Sequence, residues 1–253
     1  MKQFKKDLRK YADKERAKNL QWFFKTGKGQ YGEGDVFLGL RVPEIRSVVK
    51  DSAKRLSLDD VQELLGSKYH EERLAAVLVL VEKYQKGDFT PKGVPPAQMA
   101  SAKADEVGKK MIYDFYLANG KGINNWDLVD LSAPRIVGGY LLHKKDRKIL
   151  YKLMKSKNLW EKRIAIIATA MFIRDGQFED TLKISKMLLS DKHDLIHKAV
   201  GWMLREVGKK DLAVLEKFLQ EGGRYKKMPR TMLRYAIERF EEGLRKKYLL
   251  GQV

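Results

Sequence analysis

The stretch INNWDLVD, Ile123–Asp130, sets a tryptophan and an aspartate four residues apart. On a helix that spacing puts Trp126 and Asp130 on one face. Asp127 falls on another face and, early in the helix, favours its dipole. A carboxylate kept among so many cations has two readings. Either it stabilises a positive charge that develops during a reaction, or it forms an ion pair with Arg163 or Arg135.

Two other patterns have catalytic or ligand-binding spacing. GKGQYG, residues 27–32, matches G-x-G-x-x-G. A phosphate-binding loop of that form follows a strand and opens a helix. Here QWFFK before it reads as a helix end, and Glu33 and Asp35 repel phosphate, so the segment reads as a flexible connection between helices. His193 and His197 have metal-compatible spacing, but no third ligand accompanies them, and a metal site needs more. They read as helix-surface histidines. No metal and no organic cofactor is expected. Trp126, Trp160 and Trp202 lie in or beside basic helices. A tryptophan in a helical protein usually belongs to the core, yet aromatics interleaved with cations also describe a nucleic-acid surface. Trp202, next to Gly201 in HKAVGWMLREVGKKD, fits that second description best.

The elements that must position these residues read as helices. Lys, Glu, Leu, Ala and Arg dominate, and alternating strand patterns are scarce. Pro43 and Pro134 stand at first helical positions of VPEIRSVVK and PRIVGGYLL. Ser57 and Asp60 form a helix start in SLDDVQELL. Gly66, Gly87, Gly176 and Gly208 stand where helices could stop. KGDFTPKGVPPAQ, Lys86–Gln98, reads as an inter-helix loop. Four helices share a basic residue ahead of a small or apolar run: Arg73, Arg163, Lys198 and Arg234. The last three are 35 and 36 residues apart, a period suited to helix pairs stacked as an α-solenoid. The expected fold is therefore all-α, stacked antiparallel helix pairs with a concave basic face, in a single domain over residues 1–253; an irregular helical bundle that reuses one helix pattern is the alternative.

Composition points to the partner. With 52 Lys and Arg against 33 Asp and Glu, the net charge is +19, so a polyanion is the first candidate, and nucleic acid is the commonest. Cysteine is absent, which excludes disulfides, zinc–thiolate sites and cysteine nucleophiles and fits a reducing cytoplasm. MKQFKKDLRKY lacks the apolar segment of a signal peptide. The apolar runs Leu74–Val81 and Ile164–Ile173 fall short of the ~20 residues a membrane span requires.

INNWDLVDLSAPRIVG (Ile123–Gly138), LWEKRIAIIATAMFI (Leu159–Ile173), HKAVGWMLREVGKKD (His197–Asp211) and GEGDVFLGLRVPEIR (Gly32–Arg46) together resemble the motifs of AlkD-type DNA alkylation repair proteins, in order, over most of the chain. The resemblance implies a HEAT-like solenoid and a glycosylase that removes N3- or N7-alkylated purines from double-stranded DNA; a solenoid that wraps DNA can act as a monomer, and a monomer is expected. It implies that Asp130 is the catalytic carboxylate, that Trp126 and Trp202 cradle the backbone of the damaged nucleotide, and that Arg163 completes the site beside the phosphates. QWFFK is similar to a segment that supplies a tyrosine near the lesion. Phe23 is the nearest equivalent, and the hydroxyl is then lost or moved to Tyr31. Arg41 stands where some members have glutamine. Arg46, Arg73, Lys198 and Arg234 join these as expected DNA contacts. Two alternatives differ in class: a non-catalytic nucleic-acid-binding solenoid, and a protein-interaction scaffold. Steep salt dependence of DNA binding separates the scaffold from the others.

Overall fold

The computed structural model of the protein describes residues 1–87 and 102–253, the side chains of 102–104 excepted. The all-α expectation holds, with helices packed in pairs. Extended pairing among the described residues amounts to one isolated parallel bridge, Val36 with Tyr69. The loop expected over Lys86–Gln98 lies, beyond Gly87, outside the described residues. No helix among the described residues is long and apolar enough to cross a membrane. The chain divides into two compact units, Met1–Ile136 and Val137–Val253.

The first unit holds α1 (Lys2–Arg9), α2 (Lys14–Phe23), α3 (Val42–Ser52), α4 (Leu58–Leu65), α5 (His70–Lys86), α6 (Ala102–Ala118) and α7 (Trp126–Ala133). At the centre, α5 packs against α3, α4, α6 and α7. Leu74–Val81 is buried at every position, so the helix is enclosed on all sides, as a helix without a polar stripe must be. Burial extends into its first turn, through His70, Glu71, Glu72 and Arg73, where charged groups need partners. Glu71 accepts the backbone N–H groups of Leu38 at 2.9 Å, Gly39 at 2.8 Å and Leu40 at 3.2 Å. Glu72 accepts from Arg9 at 2.9 Å and from the Ser67 hydroxyl at 2.8 Å.

Local signals set several of the helix ends. Ser57 and Asp60 form a reciprocal capping box at the start of α4, and Pro43 sits in the first turn of α3. Gly66 ends α4, and Gly87 ends α5 in the left-handed region at φ 62°.

The second unit holds α8 (Gly139–Leu141), α9 (Lys148–Met154), α10 (Leu159–Ala168), α11 (Ala170–Arg174), α12 (Glu179–Met187), α13 (Asp194–Lys210), α14 (Leu212–Gln220), α15 (Arg224–Lys227), α16 (Arg230–Ala236) and α17 (Glu242–Leu250). The periodic residues Arg163, Lys198 and Arg234 fall on α10, α13 and α16, and α13 packs against both of the others. The sequence period thus marks successive neighbours. The α13–α16 crossing depends on Gly201, where an added Cβ would lie 2.5 Å from both the Met232 carbonyl oxygen and the Tyr235 Cβ. Gly201→Ala is expected to force these helices apart and cost about 1–3 kcal/mol. Urea unfolding checks this, and a loss under about 0.5 kcal/mol would show that the interface yields.

Two expected boundaries shift. Gly208 lies inside α13 rather than ending it. A Cβ there would meet Leu215 Cδ2 at 2.4 Å, so the glycine serves the packing of α14. Pro134 does not open a separate helix. Instead α7 widens into a π-helical turn over Pro134–Gly138, a local response to the missing N–H and the bulk of the ring.

Candidate functional site

The start of α7 carries Trp126 and is fixed by groups remote in sequence. Asn125 caps the helix, its Oδ1 accepting from Trp126 N–H at 2.8 Å. Its Nδ2 donates to Asp35 Oδ2 at 3.2 Å. Asp127, the next residue on, has Oδ1 on the Leu128 N–H at 2.9 Å and Oδ2 2.8 Å from His70 Nε2. His70 Nδ1 lies 3.2 Å from Asp35 Oδ2. Arg73 donates to Asp35 Oδ1 at 2.6 Å and to the Ser67 carbonyl at 2.8 Å. Asp35, His70, Arg73, Asn125 and Asp127 are all buried. Asp127 therefore does more than favour the helix dipole: it ties α7 to α5.

Carboxylates face both nitrogens of the His70 ring, and only a doubly protonated imidazolium donates to both. Burial works against that charge, but the Asp127 and Asp35 carboxylates outweigh it and push the ring up to about 9. Asp35 moves the other way. Burial raises it, and the hydrogen bond from His70 together with the Arg73 and His70 charges carries it below its ordinary value. Two carboxylates, an imidazolium and a guanidinium sum to zero, which is how so much charge is held in the interior.

Above this network runs an aromatic column. The Phe37 ring stacks on His70, with centroids 4.6 Å apart. Phe24 stacks on Phe37 at 5.0 Å and on Trp126 at 5.2 Å, the last nearly parallel at 11°. Phe23 meets Trp126 edge-on at 6.1 Å. Trp126 is half-buried, held by its backbone through Asn125 and by its face through Phe24. The Tyr31 hydroxyl donates towards the Phe23 carbonyl at 3.5 Å, so a phenol stands beside Phe23.

Asp130 follows Trp126 by one turn and is half-buried. The inner side of this turn is pinned by Ser132, whose hydroxyl donates to the Leu128 carbonyl at 2.5 Å and so accepts from the Tyr116 hydroxyl at 2.8 Å. Burial, reinforced by the Asp130 charge, raises the Tyr116 phenol and keeps it protonated for that bond. A rigid helix thus presents a carboxylate and an indole together.

The structure gathers Phe23, Tyr31 and Trp126 in the first unit. Arg41 is exposed and paired with Glu44 at 2.9 Å, and Arg46 is exposed on α3. Arg73 departs from the expected phosphate contact: it is only 4% exposed and turned inward to Asp35. In the second unit Arg163 is buried in α10, with Nη1 donating to the Leu195 carbonyl at 2.6 Å. Trp202 is half-buried on α13, Lys198 pairs with Asp194 at 2.8 Å, and Arg234 is exposed on α16. Trp160 is core.

Asp35, His70 and Phe24 had no local signal in the sequence, whereas Asn125 had one, its position just ahead of the helix. The GKGQYG segment forms turns whose Gly27 and Gly29 N–H groups are taken by Gln30 and Glu33, which leaves no phosphate cradle. His193 caps α13, accepting from Leu195 N–H, and His197 Nε2 bonds to the Asp191 carbonyl. No group of three or more metal-ligating side chains occurs among the described residues.

Comparison with known proteins follows the same line. A family model described as DNA alkylation repair enzyme matches residues 4–240. The fold is similar to a solved structure, "Predicted DNA alkylation repair enzyme from Enterococcus faecalis", with a TM-score of 0.63 at 15% identity, covering 91% of this chain and 97% of that one. A search of curated proteins gave no match.

Proposed function

The chain belongs to the DNA alkylation repair enzyme family, and on that premise we propose that it is a DNA glycosylase of base excision repair. It hydrolyses the N-glycosidic bond of N3- or N7-alkylated purines in double-stranded DNA, as a monomeric HEAT-like solenoid domain over residues 1–253, in the cytoplasm and without a cofactor. The observation that carries this reading is the pairing of Asp130 with Trp126 on a helix whose start is fixed by a buried charge network, in a chain of net charge +19.

The chemistry follows from the substrate. An N3- or N7-alkylated purine is already cationic, so it leaves with the bonding electrons as a neutral base and needs no acid to protonate it. One carboxylate then suffices, where ordinary glycoside hydrolysis uses two. As the bond stretches, positive charge moves to the deoxyribose. Asp130 stabilises that oxocarbenium-like sugar and orients the water that adds to C1′ and gives up a proton. The Trp126 ring offers the negative face of its quadrupole to the same charge. Trp202 supplies a nucleotide-backbone contact that holds register, whereas Arg163, as buried as Arg73 and bonded to the Leu195 carbonyl, departs from the expected phosphate contact.

Incubation with duplex DNA carrying 7-methylguanine is expected to yield free 7-methylguanine and an abasic site. Tight, salt-sensitive binding without release of 7-methylguanine or 3-methyladenine would reject the glycosylase in favour of a non-catalytic DNA binder.

A further inference from the structure

Helix α2 buries none of its residues. It is held at its two ends. At the start, Arg16 donates to the Gly39 carbonyl at 2.6 Å and pairs with Asp13 and Glu44 at 3.1 and 3.3 Å. The close approach requires Gly39, at φ 88°, since a Cβ there would lie 2.1 Å from the Asp13 carbonyl oxygen. At the far end, Phe24 enters the aromatic column. Between these anchors Ala17, Leu20 and Gln21 are half-buried and Lys18 and Asn19 exposed, and Trp22 is 83% exposed beside Phe23 at 54%. An indole left almost wholly in water forgoes one of the largest apolar burials available to a side chain.

The surroundings of Trp22 are cationic. Lys18 precedes it by one turn, and Lys25 and Lys28 follow; all three are exposed. Lys25 stands in the left-handed region at φ 53°, just past the end of α2, where a glycine would sit without strain. The chain tolerates that strain and keeps a cation there. Phe23, the neighbour of Trp22 in the chain, touches Trp126, so Trp22 stands one residue from the candidate site.

We propose that Trp22 is a nucleic-acid contact that stacks on a base laid open at a distorted position of the duplex, with Lys18 and Lys25 gripping the flanking phosphates. A bare aromatic ring among lysines fits a partner that offers flat π faces along an anionic backbone. A fully paired duplex hides those faces, so the contact reports distortion rather than sequence. The inference rests on DNA as the substrate, and not on the glycosylase step.

The test compares wild type, Trp22→Ala, Trp22→Phe and Lys25→Ala on two probes, a perfect duplex and the same duplex with one abasic site. Trp22→Ala is expected to weaken binding to the abasic duplex about 5- to 150-fold, the range for loss of one aromatic–base stack. It should have little effect on the perfect duplex and leave the salt slope unchanged. Trp22→Phe should retain most of the affinity, and Lys25→Ala should reduce the slope by about 1. The part of the indole fluorescence missing in Trp22→Phe should be quenched by the abasic probe in wild type. Equal affinity of Trp22→Ala and wild type for both probes would overturn the proposal. So would a wild-type dimer in sedimentation that Trp22→Ala dissolves, which would assign the ring to a second copy of the chain. If Trp22→Ala loses affinity while wild type releases no alkylated base, the contact stands and the glycosylase fails. If base release depends on Asp130 and Trp22→Ala binds normally, the reverse holds.

Discussion

Asp130→Asn is expected to lower the single-turnover rate of 7-methylguanine release by on the order of 10²–10³-fold, the range for losing one preorganised electrostatic group from a transition state. The substitution keeps the size and the planar shape of the side chain, removes the charge and turns one acceptor oxygen into an NH2 donor. Helix α7 should not move, because Asn125, Asp127 and Ser132 hold it by bonds that Asp130 does not make. DNA affinity should hold or rise slightly, since a negative charge is withdrawn from the surface proposed to meet DNA. The effect should therefore appear in the rate at saturating enzyme and not in Kd. A variant that releases base at the wild-type rate would remove Asp130 from the reaction. A variant that loses both binding and rate would mark it as a structural ion-pair partner instead. Melting temperature, read alongside, shows whether the fold survived.

His70→Gln is expected to destabilise the protein by about 3–5 kcal/mol, the usual cost of breaking a buried ion pair by removing one partner. Without the imidazolium, the Asp35 and Asp127 carboxylates stay buried with Arg73 as the remaining cation of the quartet. Glutamine offers one N–H-bearing end and cannot donate to both acids at once. The same bond explains a pH dependence. His70 has a folded value near 9 against an ordinary 6.5. A group raised on folding contributes its full stability below the unfolded value and loses it as pH rises through the folded one. The wild type should thus lose His70-linked stability between roughly pH 6.5 and 9. His70→Gln should be less stable at pH 6, and its stability should change less over that window. Parallel stability–pH curves for the two proteins would show that His70 is not the linked group. Because Asp127 adjoins Trp126, the variant should also change the Trp126 fluorescence, seen by difference against Trp126→Phe.

The readability of this protein divides along one physical line. Signals carried by neighbouring residues were legible. Ser57 with Asp60, Pro43, Gly66 and Gly87 set helix ends through their own backbone and side-chain chemistry, which acts over three or four residues. The apolar run Leu74–Val81 was legible as too short for a membrane span. The spacing of Trp126 and Asp130 put both on one face, and the ordered motifs pointed to the family that the match over residues 4–240 shows. Local signals misled where a distant partner decided the outcome. Gly208 resembles a helix stop, but Leu215 needs its space. Arg73 and Arg163 have the same sequence setting as the exposed Arg234, but Asp35 draws the first inside and the Leu195 carbonyl the second.

Adjacent residues show the limit most plainly. Trp22, Phe23 and Phe24 are three aromatics in a row, and nothing in their order says that the third is buried while the first stands in water. Helical periodicity assigns a side chain to a face. Whether that face is covered depends on what the rest of the chain brings to it, and Phe37, His70 and Trp126 arrive from positions 13 to 102 residues further on. The joining of Asp35, His70 and Asp127 is of the same kind: ordinary surface residue types, made into one buried ionic unit by the packing of α5 against α7 and by the bridge from Val36 to Tyr69 that brings Asp35 beside them.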